Sequence, residues 1–395
     1  MIDLPLAITQ YFSYIPSALF AFFITFLLTP MIGRFAKKYG FIDLPTKMRN
    51  RVDQTKDRRI HNRIVPRLGG LAIVIGFFIT LTVFNNVPTD ITGILIGIGI
   101  LTINGILDDK YELSGKTQLL FQLAAAVVVV ASGVTIEKIS IAGFEQSFVN
   151  FSHQLEILGY SYNFLFPADL ITIFWILLVT NALSWVCGID ALGESMTFIA
   201  SLIFGALAMK LGSPEYTMIF FVFAGAVMGF IPFNFPNARI FGGTVGHLVY
   251  GFFLSTMAIQ SQTKLVTATM ILTLPLIDML WVLIGRIKHN KLNSPLALLS
   301  ISDRTHLHHR LMDIGFDIKQ TLFLELAIFS IFSLAAFYLG GFSFDFILLS
   351  SGVVLAILLF NLISILYDKS WSKTPKPRVR KTIKKDTSPE ERYAY

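Results

Sequence analysis

Ile91–Lys116 reads ITGILIGIGILTINGILDDKYELSGK. From Ile91 to Leu107 almost every residue is apolar, and then two acids stand side by side, Asp108-Asp109. A continuous apolar run of about 20 residues spans roughly 30 Å of hydrocarbon as a helix, which satisfies its own backbone there. The run lacks the apolar/polar alternation of a barrel strand. The same pattern recurs along the chain. It predicts spans at 13–33, 68–86, 91–107, 117–134, 168–187, 196–211, 216–232, 245–260, 264–285, 321–340 and 343–366. Of the 395 residues 54% are hydrophobic and only 14% charged, against about 25% charged in a soluble domain. Mean hydropathy is +0.66. The expected fold class is all-α: a polytopic integral membrane helical bundle of about eleven transmembrane helices.

Orientation follows from the cations. With the N-terminus outside, the cytoplasmic connectors and C-terminal tail hold 29 Lys and Arg, and the external ones only Lys138, Lys210 and Lys264. The positive-inside rule therefore sets the C-terminus in the cytoplasm and accounts for the net charge of +7 without nucleic acid. One cysteine, Cys187, excludes a disulfide framework or a multi-cysteine metal site. No basic residue precedes the first apolar run, so that run reads as a permanent span, not a cleaved signal. The connector 135–167 is polar enough for a hairpin or an interfacial segment. Residues 1–367 form the membrane domain, and 368–395 read as a basic, disordered cytoplasmic tail. No internal repeat is visible, and no charged residue is expected at mid-bilayer depth. Both speak against a transporter or flippase.

Five segments carry the polar chemistry. Two adjacent carboxylates repel unless a cation sits beside them, and Mg²⁺ suits a few carboxylates completed by waters and phosphates. The competing reading of Asp108 and Asp109 is a pair of loop acids beside Lys110 and Lys116. Asp190 follows the fifth span in NALSWVCGIDALGES, with Asn181 nearly two turns before Cys187, at the end of that span. The competing readings are a helix cap for Asp190 and an interhelical hydrogen bond for Asn181. Asn234 opens NFPNARIFGGTVGH, whose Pro and Gly-Gly turns could present backbone N–H groups to a phosphate or merely end a helix. His306, His308, His309 and Arg310 interleave in SDRTHLHHRL, which suits an anion better than zinc; a solvated loop is the plain alternative. RRIHNRIVPRLGG, Arg58–Gly70, adds His61 to basic residues that positive-inside charge alone could explain.

Taken in order on one face, these segments resemble the polyprenyl-phosphate N-acetylhexosamine-1-phosphate transferase family, over about residues 13–366. That family includes enzymes that start O-antigen, enterobacterial common antigen and teichoic-acid linkage synthesis, and the phospho-MurNAc-pentapeptide translocase. RRIHNRIVPRLGG is similar to its K-x-H-x-x-x-x-P-R-x-G-G, GILDDKYELSGK to its aspartate motif, and HLHHRL to the His-rich motif of its GlcNAc-type branch. The resemblance implies transfer of a sugar 1-phosphate from a UDP-N-acetylhexosamine to undecaprenyl phosphate, with release of UMP. It also implies Mg²⁺, with Mn²⁺ as the alternative ion, and a cytoplasmic active face of a bacterial inner membrane. Asp108 and Asp109 would hold the metal and orient the lipid phosphate, and Asp190 would lie beside the nucleotide or metal. Asn181 and Asn234 would contact uridine or donor. His306, His308, His309 and Arg310 would hold the diphosphate, with His61 and Lys116 also substrate-binding. Dimers occur in that family, which leaves a homodimer open.

The chain departs from the pattern. Ser184 stands for the second Asn of N-x-x-N-x-x-D-G-x-D-G, Cys187 for its first Asp and Ala191 for its last Gly. In F-x-G-D-x-G-S, Thr244 stands for the acid and His247 for the Ser, and Asn237 replaces a Pro earlier in that segment. An apparent insertion lies between Pro45 and Arg58. These changes keep a second expectation open: a catalytically impaired paralogue that binds lipid phosphate or nucleotide and acts as a regulator or partner.

Overall fold

The computed structural model describes residues 4–44, 63–84, 87–141, 144–157, 160–289 and 305–339. The predicted span at 343–366, the tail from 368, the apparent insertion and His61 lie outside the described residues. The helices are α1 (Leu4–Tyr39), α2 (Gly69–Phe84), α3 (Thr92–Tyr111), α4 (Gly115–Ala131), α5 (Ala168–Val186) and α6 (Leu192–Lys210). They continue as α7 (Pro214–Asn234), α8 (Gly243–Gln260), α9 (Leu265–Ile271), α10 (Thr273–His289), α11 (Leu307–Ile314) and α12 (Ile318–Leu339).

Among the described residues six helices are long and apolar enough to cross a membrane: those over Ser13–Lys38, Thr89–Tyr111, Ala168–Val186, Leu192–Lys210, Pro214–Asn234 and Ile318–Tyr338. The chain is thus a mostly helical, multi-pass membrane protein. α2 and α4 are shorter apolar helices at expected spans. The span expected at 264–285 is two helices, α9 and α10, bent by 76°. Pro275, in the first turn of α10, cannot donate to the Ile271 carbonyl and would clash with it in a continuous helix.

α8 is the hub. It packs on α3, α5, α2 and α6, and is buried along most of its length. The helices close in where side chains are missing. A Cβ on Gly251 would stand 2.6 Å from the Thr180 Cα of α5, and one on Gly105 of α3 would meet the Val245 backbone. Their missing side chains therefore permit the contact. α7 lies between α1 and α6, and α12 packs on α6 and α9.

The connector expected to be a hairpin or an interfacial segment is built of hairpins, which the all-α expectation has to admit at one end of the bundle. Residues 138–167 form two antiparallel hairpins, β3 (Lys138–Ile141) with β4 (Phe144–Ser147), and β5 (Val149–Ile157) with β6 (Tyr160–Pro167). Aromatic and β-branched residues in that stretch favour strands. At the other end β1 (Ile42–Asp43) pairs with β2 (Val65–Pro66). Two acids of the apolar runs are enclosed by the bundle. Asp278 of α10 and Glu325 of α12 are each 2% exposed.

Candidate active site

α3 stops at Glu112, which takes a left-handed conformation (φ 51°) and donates its N–H to the Asp108 carbonyl. The last turn thus carries both acids inward, and both are buried. Asp108 Oδ1 accepts from Leu113 N (2.9 Å) and Gln118 Nε2 (2.8 Å), and Oδ2 from the Thr244 hydroxyl (2.5 Å). Asp109 Oδ1 meets Arg67 Nε at 2.9 Å, and Thr244 N reaches both Asp109 oxygens at 3.1 and 3.2 Å. The cation that the sequence demanded beside this pair includes one of the chain's own, Arg67. It is neither neighbouring lysine: Lys110 turns to the Tyr39 carbonyl and the Phe41 ring, and Lys116 is exposed in the first turn of α4.

Thr244 reaches the acids because the chain turns sharply before α8. Gly69 N donates to Phe241 O (2.8 Å) and Gly70 N to Gly242 O (2.7 Å), tying the start of α2 to that turn. Gly243 has φ 69°, and a Cβ there would overlap Asp109 Oδ2. Only glycine suits both the conformation and the approach.

Asp190 and Asn234 hold the neighbouring loops. Asp190 Oδ2 accepts from Asn237 N (3.1 Å) and Ala238 N (3.0 Å), and Arg63 reaches the carbonyls of the same two residues. Asn234 accepts from Ala191 N (2.7 Å) and donates to Ile240 O (3.0 Å). The expected phosphate-binding N–H groups of this segment are thus partly taken by Asp190 and Asp109. Leu68, Ala191 and Asn237 all have φ between 63° and 77°. Left-handed non-glycine residues gathered in three adjoining segments are a pattern associated with functional sites.

The histidine segment arrives from α11. His306 Nδ1 lies 2.7 Å from Asp278 Oδ2, and Leu307 N donates to Asp278 Oδ1 (2.8 Å). The His306 and His308 rings stack at 5.5 Å, and His308 and His309 are 4.4 Å apart. A Cβ on Gly188 would overlap His308 Nε2, so the histidines pack directly on the α5–α6 turn that carries Asp190. All three are buried, not a solvated loop. Arg310 donates to Thr305 O (2.7 Å) and its guanidinium lies 5.2 Å from the Trp281 ring centre.

Asn181 falls outside this cluster. Its amide donates to Gln122 Oε1 of α4 (2.7 Å) and Leu177 O (2.8 Å), the interhelical bond of its alternative reading. Cys187 donates to Leu183 O (3.2 Å).

Among the described residues no three His, Cys, Asp or Glu side chains form a metal cage. Mg²⁺ does not require one, because it binds through one or two carboxylates plus waters and substrate phosphates. Asp108 and Asp109 offer two adjacent buried carboxylates, the number such an ion takes from a protein. Sequence reasoning passed over Arg67, although PRLGG was in view, and Asp278, although an acid inside LPLIDMLW signals a buried partner. Gln118 and Glu194 carried no local signal.

The description "Glycosyl transferase family 4" matches residues 91–262. The chain is 30% identical over 320 residues to a Bacillus subtilis protein named "Probable undecaprenyl-phosphate N-acetylglucosaminyl 1-phosphate transferase", covering 79% of this chain and 81% of that one. It is 25% identical over 339 residues to a decaprenyl-phosphate N-acetylglucosaminephosphotransferase of Mycolicibacterium smegmatis (76% of each chain). It is 25% identical over 313 residues to an undecaprenyl-phosphate alpha-N-acetylglucosaminyl 1-phosphate transferase of Escherichia coli (77% of each).

Proposed function

The chain belongs to glycosyl transferase family 4, and from that premise we propose that it transfers a sugar 1-phosphate from a UDP-N-acetylhexosamine to undecaprenyl phosphate, releasing UMP. The step would open a cell-envelope polysaccharide at the cytoplasmic face of a bacterial inner membrane. The carrying observation is the acid pair at the end of an apolar helix, locked to Arg67 and to the α8 turn. Eleven spans with the N-terminus outside complete the reading, supported by the cation asymmetry.

An oxygen of the lipid phosphate attacks the sugar-bearing phosphorus of the donor. A new P–O bond joins lipid and sugar phosphate, the bond to the bridging oxygen breaks, and UMP leaves with that oxygen. Two anions must meet, so neutralisation and positioning supply most of the rate. Asp108 and Asp109 would hold Mg²⁺, or Mn²⁺ in its place, and the ion would supply positive charge to the diphosphate. Arg67 holds Asp109 in place. The basic and histidine side chains of 305–310 face the diphosphate, and Asp190 and Asn234 shape the loops that receive the nucleotide.

A second reading has its own observation. Thr244 gives Asp108 a hydroxyl donor where a third acid would add metal affinity, and Cys187, in place of an acid, donates to the Leu183 carbonyl. A non-catalytic paralogue would keep lipid-phosphate or nucleotide binding alone. UMP release by purified protein, with undecaprenyl phosphate, Mg²⁺ and a panel of UDP-N-acetylhexosamines, separates the two. Release that vanishes in Asp109→Asn supports the transferase. Binding without release supports the paralogue, and full activity in Asp109→Asn sinks the assigned site.

A further inference from the structure

Glu194 lies in the first turn of α6, fully enclosed, with the Tyr250 hydroxyl of α8 at 3.3 Å. Neither residue hydrogen-bonds to Asp108 or Asp109; Glu194 lies three residues past the last position of N-x-x-N-x-x-D-G-x-D-G, and Tyr250 three past that of F-x-G-D-x-G-S. One thickness of backbone, Gly242–Thr244, separates them from the acids. On its outer side Thr244 donates to both acids. On its inner side a Cβ on Gly242 would stand 2.7 Å from Glu194 Oε1 and 3.3 Å from Tyr250 Oη, and one on Gly246 would stand 2.7 Å from Tyr250 Oη.

Gly242 and Gly243 bring no side chains to fix the turn, so beyond the hydrogen bonds of Gly70 and Thr244 its position is set by what it rests on. Enclosing a carboxyl group in a bundle core is costly unless it is hydrogen-bonded, and packing alone would be served by leucine. We propose that Glu194 and Tyr250 are positioning residues: the carboxyl oxygen fixes the Tyr250 hydroxyl against Gly246, and together they press the Gly242–Thr244 turn onto the acid pair.

The kinetic arm of the test rests on the transferase reading; the exchange arm does not. Hydrogen exchange is read by mass spectrometry on the purified full chain over 241–250. Glu194→Leu keeps the volume and removes the acceptor. It should speed exchange in that segment about tenfold and leave the 138–167 hairpins unchanged. Glu194→Gln keeps an acceptor and should stay within about twofold of the wild type. In turnover, Glu194→Leu should lower kcat about tenfold with donor KM within about threefold, and Glu194→Gln should restore kcat. Wild-type exchange and kcat in Glu194→Leu would overturn the brace. If that variant does not fold, Tyr250→Phe, which removes one oxygen, decides by the same exchange measurement: faster exchange supports the brace and unchanged exchange overturns it. A wild type that releases no UMP sinks the transferase reading and leaves the exchange arm to judge the brace.

Discussion

Thr244 is the residue at which this site differs most from what the family pattern implies, and its two donors meet two acids that have one arginine between them. Introducing a carboxylate there, Thr244→Asp, places a third negative charge against Asp108 and Asp109. Without divalent ions the variant should lose about 2 kcal/mol of stability. Mg²⁺ at a hundredfold excess over its dissociation constant should return about 2.7 kcal/mol by mass action. Thermal unfolding in detergent with and without Mg²⁺ reads both, and a variant indifferent to Mg²⁺ would remove the acid pair as a metal site. Ala191, at φ 63°, stands where the family pattern has glycine. Ala191→Gly should stabilise by about 0.5–1 kcal/mol, because the left-handed strain exceeds the added chain entropy; an unchanged or lower unfolding midpoint would contradict that. The acid pair was legible in the sequence because two carboxylates after an apolar run have few bland explanations. Arg67 was not, because its partner lies 42 residues away and no local periodicity links β2 to the end of α3.

Two acids show how elements are pinned at opposite ends of the bundle. Asp278 holds His306 and the start of α11, and Asp169, in the first turn of α5, holds Thr135 (3.0 Å), the Tyr162 hydroxyl (2.5 Å) and Leu165 N (2.9 Å). Burial, then the Asp169 carboxylate, push the Tyr162 phenol up, so it stays a donor. Asp278→Ala and Asp169→Ala each orphan buried donors, and each should cost about 2–3 kcal/mol. Only Asp278→Ala should also reduce UMP release, since α11 carries the histidines. Proteolysis of the 138–167 region should instead rise in Asp169→Ala at unchanged turnover. Equal kinetic losses would mean that the two ends are coupled through the bundle. The helices themselves were legible from apolar length. A hairpin was one of two readings of 135–167, but its division into two hairpins and the α9–α10 bend were not legible, since strand pairing is non-local and Pro275 sits inside an otherwise apolar run.

For the whole molecule, the proposed function depends on which face the polar cluster meets, because the nucleotide donor of that reading would be supplied from the cytoplasm. Orientation rests so far on the cation asymmetry of the connectors, eleven of the 32 Lys and Arg lying in Arg34–Arg67 alone. Cys187 makes the test direct. It is the chain's single cysteine, half-buried and hydrogen-bonded to the Leu183 carbonyl, so it reacts more slowly with maleimides than a fully exposed thiol. Tyr111→Cys places an exposed thiol at the acid-pair end of α3, and Glu145→Cys places one on the β3–β4 hairpin at the other end. In intact spheroplasts an impermeant maleimide should label Glu145→Cys and spare Tyr111→Cys until the membrane is opened. The reverse labelling would put Asp108, Asp109 and the histidines outside, away from any nucleotide sugar. It would exclude the transferase assignment, however well the site binds diphosphates in detergent.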